Sequence, residues 1–368
     1  MPLRFQFDPN ALNVVAGGQS TIDIPKLNFK NLEEVTAFIK SYGFDLQNEN
    51  ESEKLWYYHR RALVLLTEKL GFNLTEIPSV LADRKQLEDL RKLLLFASSS
   101  DPNQEELQKW SCALLRTMHV FVHTENDLFA AFSEEIQKQV LSPFQASVYH
   151  DGTSGQTLLK RAQESEVPSE PLSLVGFEVK PFKTSSSAVI KLLAKPDALA
   201  MNVFDKLGVR FITDSMFDTF RVIRFLVEEN LISFPHIIPD QSSNNLYPVD
   251  LFMSACEKMA SQKRPLSDEE VEKYFTQHLE ENKDSASFLR KENFFSGSDY
   301  RFIKFICRKL IRIEKDKQGF TFFYPYEVQI MDQKSHHKIL TGPSQHIAYK
   351  ERQKQGAKKR LFPQNSNL

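Results

Sequence analysis

The sequence predicts an α+β protein, an all-α domain followed by an α/β domain. Apolar residues recur at intervals of three and four through the first half, as in Leu63, Leu66 and Leu70 and again in Leu90 and Leu94, the mark of amphipathic helices. Beyond residue 172, short apolar runs alternate with helical stretches, as strands interleaved with helices do. Thirty phenylalanines against 12 glycines suit helices packed through large side chains and disfavour a glycine-rich phosphate loop.

At 368 residues the chain is long enough for two domains, each with its own core. A hydrophobic content of 41%, a charged content of 26% and a net charge of -1 are those of an ordinary globular protein, with no global drive toward nucleic acid or anionic lipid. Met1–Lys26 lacks an apolar run ending in a small-residue cleavage site, and no long uncharged apolar stretch occurs, so a cytoplasmic protein without a membrane partner is expected. Cys112, Cys256 and Cys307 match no paired metal or disulfide spacing and read as structural thiols.

Helical periodicity covers residues 31–147, with polar breaks at Asn48–Ser52 and Ser98–Asn103. His59, Arg60 and Arg61 follow Trp56-Tyr57-Tyr58, while His119 and His123 share a helical face near Arg116. The two histidines have the spacing of metal ligands, but no third ligand is evident, so satisfied surface histidines are expected. The helical domain, residues 1–172, is assigned no chemistry; regulation, self-association and docking of a protein partner all stay open.

The polar stretch Tyr149–Leu172, with Asp151–Gly155 and the acidic, proline-containing Glu164–Pro171, reads as the linker. After it come a strand at Leu174–Val179, a helix at Ser187–Ala194, a strand at Val209–Thr213, a helix at Phe217–Glu229 and a strand at Ile232–Ile238. Two helices follow, Val249–Ser261 and Ser267–Glu281, the second opening on an N-cap serine with acids in its first turn. Strands at Tyr300–Ile313 and Phe320–Met331 form a hairpin around Asp316–Gly319. The second domain is thus expected over 173–354, with 355–368 a basic, flexible tail.

Two carboxylates stand where strands make them costly. Asp205 precedes the apolar strand at Val209, and Glu327 lies inside the last strand, in Tyr326-Glu327-Val328-Gln329-Ile330. An acid in such a strand needs a cationic partner or a metal. The pattern leaves an ion pair and a hard-oxygen Mg²⁺ site equally open.

From Gly176 to Lys350 the chain resembles the RelA/SpoT alarmone-synthetase domain, in four blocks that occur in order. The first is the basic, serine-containing segment Lys183-Thr-Ser-Ser-Ser187-Ala-Val-Ile-Lys191, and the second is Asp205-Lys-Leu-Gly208-Val-Arg210, similar to the family's Asp-x-x-Gly-x-Arg. The third, Gly297-Ser-Asp-Tyr300-Arg301-Phe302-Ile-Lys304, resembles the family's Gly-Tyr-x-Ser-Leu-His strand, with Phe302 for Ser and Lys304 for His. The fourth is Glu327-Val-Gln329 followed by His336, Gly342, His346, Tyr349 and Lys350, residue types that stand at those intervals in the family's closing segment. Met331 departs from the usual Arg, and Ile339-Leu340 from the usual Ala-Glu.

The resemblance implies a nucleotidyltransferase-like domain with a mixed sheet, ATP as pyrophosphate donor, Mg²⁺ as cofactor and purine nucleotides as ligands. It implies that Asp205 and Glu327 hold the metal, that Glu327 draws the proton from a ribose 3′-hydroxyl, and that Arg210 contacts phosphate. Lys183 and Lys191 would meet the ATP phosphates and Tyr300 would stack on the acceptor purine, with Ser187, Arg301, Lys304, Gln329, His336, His346 and Lys350 completing the nucleotide site. Arg210, Arg221, Arg224, Arg301, Lys304 and Arg308 are candidates to replace cations that the departures remove. Pyrophosphate transfer to a guanosine nucleotide is the leading expectation. The alternatives are a diverged module that only binds nucleotide, or transfer to an adenosine nucleotide or RNA 3′ end, the last suggested by the basic run Lys350–Arg360. No metal-binding histidine and aspartate pattern of the family's hydrolase domain occurs in Met1–Leu172.

Overall fold

The structure, a computed structural model, describes residues 8–125, 128–153, 155–161, 171–180, 184–195, 204–262, 264, 266–282, 286–289, 301–315, 318–341 and 346–363. The first helices are α1 (Pro9–Val15), α2 (Leu32–Tyr42), α3 (Glu49–Val64), α4 (Ser79–Ala82), α5 (Arg84–Leu87), α6 (Arg91–Ala97), α7 (Glu105–Glu125) and α8 (Leu128–Ser147). Then come β1 (Val148–His150), β2 (Thr157–Leu159), β3 (Leu172–Leu174), β4 (Gly176–Lys180), α9 (Ser185–Ala194), β5 (Gly208–Thr213) and α10 (Met216–Glu228). The rest are β6 (Ser243–Asn244), α11 (Val249–Ala260), α12 (Asp268–Glu281), β7 (Ile303–Lys315), β8 (Gln318–Asp332), α13 (Gln333–Thr341) and α14 (His346–Leu361).

These elements form two compact units. One comprises Met1–Asp127, Thr184–Val203 and Lys350–Leu368, the other Leu128–Lys183 and Phe204–Tyr349. Neither is a continuous stretch, so the boundary expected at residue 172 is not where the units divide. The reason lies in two amphipathic helices. α9 buries Val189 and Leu192 and packs on α7, and α14 buries Ala357 and Leu361 within the same helical unit.

In the helical unit, the polar breaks of the sequence act as caps. The Asn31 side chain accepts from the Glu34 N–H to start α2, and Asn48 does the same for α3 from Asn50 and Glu51. Gly43, at φ 109, closes α2 with its N–H on the Ile39 and Lys40 carbonyls, a left-handed conformation that a side chain would strain. α7 is the axis of the unit, packing against α3, α6 and α9 and burying Trp110, Leu114, Met118 and Phe121.

Residues 355–361 of the expected flexible tail are the end of helix α14. Phe362 sets its ring edge-on to Trp110, with centroids 4.6 Å apart, and Arg360 pairs with both oxygens of Asp23 at 2.6 and 2.9 Å. The high charge of 355–360 masked an apolar stripe of Ala357 and Leu361.

The second unit holds a five-stranded mixed sheet, ordered β4-β5-β8-β7-β6, in which β5 and β8 are parallel and the other pairs antiparallel. Val209, Phe211, Val328, Ile330, Phe305 and Cys307 share its apolar face and join a core with Phe144, Val222, Leu226 and Phe275. Each such side chain contributes roughly 1.5–3 kcal/mol by leaving water. The long hairpin β7–β8 expected from the sequence pairs from Ile303↔Ile330 to Lys315↔Gln318, so that Gln318 and Gly319 of the expected turn belong to β8.

Two expectations fail here. The linker Tyr149–Leu172 contributes β1 and β2, which join β3 in a small antiparallel sheet; the turn is closed by Asp151 N–H on the Gln156 carbonyl and by Gly155 at φ 70. Ile232–Ile238 is not a strand but includes a 3₁₀ turn, Phe234–His236. Pro235 lacks the N–H that a ladder needs, and contact with β7 shrinks to one bridge, Ile237↔Cys307.

Candidate functional site

The face of the mixed sheet opposite its core carries two polar rows. Register places Glu178 (β4), Arg210 (β5), Gln329 (β8) and Lys304 (β7) side by side. The neighbouring row is Lys180, Gly208, Glu327 and Ile306. Period-two alternation puts both rows on one face while Val209 and Val328 turn to the core.

Gly208 lets β5 and β8 approach: a Cβ there would stand 2.7 Å from the Glu327 carbonyl oxygen and 3.1 Å from the Glu327 Cβ. The Glu327 N–H donates to the Leu207 carbonyl at 2.9 Å, which fixes the start of the parallel pair. Asp205 lies in the turn just before it, with Oδ1 buried, and the adjacent Lys206 is buried too.

Only 6% of the Glu327 side chain is exposed, and Lys180 donates to its Oε1 while the Lys304 ammonium stands 3.8 Å from Oε2. A carboxylate so withdrawn from water needs such partners, and loss of one costs on the order of 3–5 kcal/mol. Arg210 donates from Nε to Gln329 Oε1 at 3.1 Å and from a terminal nitrogen to Glu178 Oε2 at 2.8 Å. Gln329 is 1% exposed, so its carbonyl is fixed.

α13 begins where β8 ends, the Ser335 N–H donating to Asp332 Oδ1 at 2.6 Å. The helix brings His336 Nε2 to 3.5 Å from Glu178 Oε1. Burial lowers the His336 pKa below its ordinary value, against the raising effect of Glu178. The ring is therefore neutral near pH 7, and this face sets the cations of Lys180, Lys304 and Arg210 against the carboxylates of Glu178 and Glu327. Its three cations are placed to meet an anionic ligand.

Of the residues expected from sequence, Arg210, Glu327, Gln329, Lys304 and His336 meet on this face, with Asp205 at its entrance. Ser187, Lys191 and Lys350 belong to the helical unit, where Ser187 accepts from the Thr184 hydroxyl at 3.1 Å and Lys350 is exposed. Arg301 is exposed ahead of β7. Lys183 and Tyr300 lie outside the described residues; His346 opens α14, its side chain outside them as well.

The other candidate cations are engaged elsewhere. Arg221 pairs with Asp218 at 2.9 Å, Arg224 faces Glu228 at 4.0 Å, and Arg308 lies 5.4 Å from the Phe323 ring centroid. Sequence reasoning missed Glu178 and Lys180. Their signal was the charged alternation Glu178-Val179-Lys180 within a strand, which by itself reads as a solvated face.

In the helical unit His59 is buried and donates from Nε2 to the Leu81 carbonyl at 2.9 Å. His119 is not a surface histidine as expected; its Nδ1 lies 2.7 Å from the Tyr42 hydroxyl and its ring centroid 4.5 Å from that of His123. Cys112 and Cys307 are buried, and Cys256 is partly so. No family model matches the chain, and no curated protein matches it in sequence.

Proposed function

We propose that the polar face of the mixed sheet binds purine nucleotides and catalyses Mg²⁺-dependent transfer of pyrophosphate from ATP to the 3′-hydroxyl of a guanosine nucleotide. The observation that supports this reading is a carboxylate, Glu327, buried in a strand between two lysines and opposite Gly208 of the Asp-x-x-Gly-x-Arg block. The main core cluster of this unit lies on the sheet's other face.

The donors fit Mg²⁺ by type: Asp205 and Glu327 offer hard oxygens, and this ion is commonly held by one or two carboxylates together with substrate phosphates. When bound, it neutralises phosphate charge during transfer. Glu327 takes the proton of the attacking 3′-hydroxyl. The new bond joins the 3′-oxygen to the β-phosphorus of ATP, the bond to the bridging oxygen of the α-phosphate breaks, and AMP leaves. Lys180 and Lys304 offset phosphate charge, while Gln329 and Glu178 hold the Arg210 fork in place.

The test is incubation with γ-labelled ATP, Mg²⁺ and GTP, GDP or GMP. Label is expected in the acceptor, with Glu327→Gln lowering the rate by about 10²–10⁴, and loss of transfer in Asp205→Asn as well. A second reading is favoured by the pairing of Glu327 with Lys180: the face binds nucleotide without chemistry. Calorimetric binding of GTP that Lys180→Ala weakens, with no label transferred, would select it.

A further inference from the structure

Within the helical unit, α1, α2, α6, α7 and the segment 21–29 line a half-open cavity of about 540 Å³. That lies in the range of small-molecule pockets, roughly 300–1,000 Å³. Its wall is mostly apolar, with Val14, Phe38, Leu94 and Met118 on four helices. α1 is a wall rather than part of the core: it is capped by Asp8 and has no buried residue.

α7 gives the cavity a polar stripe. Cys112, Leu115, Arg116, His119 and Val122 recur at three- and four-residue spacing and all line it. Arg116 is the charge in that stripe, and it is only 7% exposed. It donates to the Ile24 and Leu361 carbonyls, both at 2.6 Å, which leaves most of its five N–H donors for other partners.

Among the described residues no carboxylate pairs with Arg116. Asp23, the acid whose field reaches it, is held at both oxygens by Arg360. The end of α14 supplies about half a negative charge. The remainder is a buried positive charge without a counter-ion among the described residues, which is costly.

Nothing else in the wall supplies that counter-ion. His119 sits in a chain from Tyr42 Oη (2.7 Å) to Thr21 Oγ1 (3.4 Å), and burial together with His123 keeps its ring neutral. Asp8 accepts from the Asn10 and Ala11 N–H groups, and Lys26 donates to Ser100 Oγ.

We propose that this cavity is a binding site for a medium-chain aliphatic monocarboxylate, its tail against Phe38, Leu94 and Met118 and its carboxylate on Arg116. The tail satisfies the apolar wall, and the carboxylate supplies the missing negative charge in a bidentate match to the guanidinium. The site is independent of the nucleotide reading, since none of the residues of the sheet face line it.

The experiment uses the full chain, with decanoate and decanol as probes, read by titration calorimetry and by the unfolding temperature. Decanoate is expected to bind at one per chain and to raise the unfolding temperature. Decanol, equal in length but uncharged, should bind at least about tenfold more weakly. Val14→Trp, which fills the cavity from a half-buried position on α1, should abolish decanoate binding without lowering the unfolding temperature of the free protein. Failure of decanoate to bind, uptake of many molecules without saturation, equal affinity for decanol, or undiminished binding in a folded Val14→Trp protein would each overturn the proposal. The decanoate and decanol comparison is made on unaltered protein, so it decides even where the variant fails to fold.

Discussion

Gly208 shows what single positions demand in this sheet. An alanine there would press its methyl to 2.7 Å from the Glu327 carbonyl oxygen, a backbone atom fixed by the β5–β8 pairing. Gly208→Ala is therefore expected to destabilise the protein by about 1–3 kcal/mol, read as a lower urea midpoint with unchanged slope. An unshifted midpoint would mean that the strands part at little cost. Residues of this kind were partly legible in the sequence. Asp205, Gly208 and Arg210 fall in one short block beside an apolar strand, and Glu327 announces itself as an acid inside another. Glu178 and Lys180 did not stand out, because only the antiparallel register of β4 on β5 sets them opposite Arg210 and Gly208.

At the scale of elements, sequence periodicity located α9, α10, α11, α12 and the β7–β8 hairpin to within a residue or a few at their ends. It failed where partners rather than pattern decide the outcome. The stretch at Ile232–Ile238 is apolar enough for a strand, yet Pro235 denies it a ladder, and residues 355–360 are charged enough for a loose tail, yet helix α14 buries two apolar residues and pairs an arginine with Asp23. Ending the chain after Lys354 removes Ala357, Arg360, Leu361 and Phe362, along with their contacts to Asp23 and Trp110. Loss of a buried leucine alone costs about 2–5 kcal/mol, so the truncated protein is expected to unfold at a clearly lower temperature. A flexible tail would leave that temperature unchanged, which makes calorimetric comparison of the two chains decisive.

Over the whole molecule, the chain passes between two compact units four times, and local periodicity has no means of reporting this. Acid should reach the helical unit through His59. Buried at 1% exposure on α3, it has its pKa pushed down to about 4 by desolvation, against the raising effect of the Leu81 carbonyl. In the unfolded chain the same ring titrates near about 6.5. Between these values the unfolded state binds a proton that the folded state excludes, so stability falls as pH falls. His59's contribution is fully present above about pH 6.5 and is lost progressively toward about pH 4; roughly 2 kcal/mol should be gone by about pH 5. His119, with its pKa also pushed down to about 4, adds to the same trend in the same unit. Amide exchange measured at neutral pH and near pH 5, corrected for the intrinsic rate, is expected to accelerate in α3 and α7. His59→Gln should be less stable at neutral pH but lose less on acidification. A variant with the same pH dependence as the parent chain would mean that His59 titrates alike in the folded and unfolded states, and the acid sensitivity would then have to come from His119 and the carboxylates.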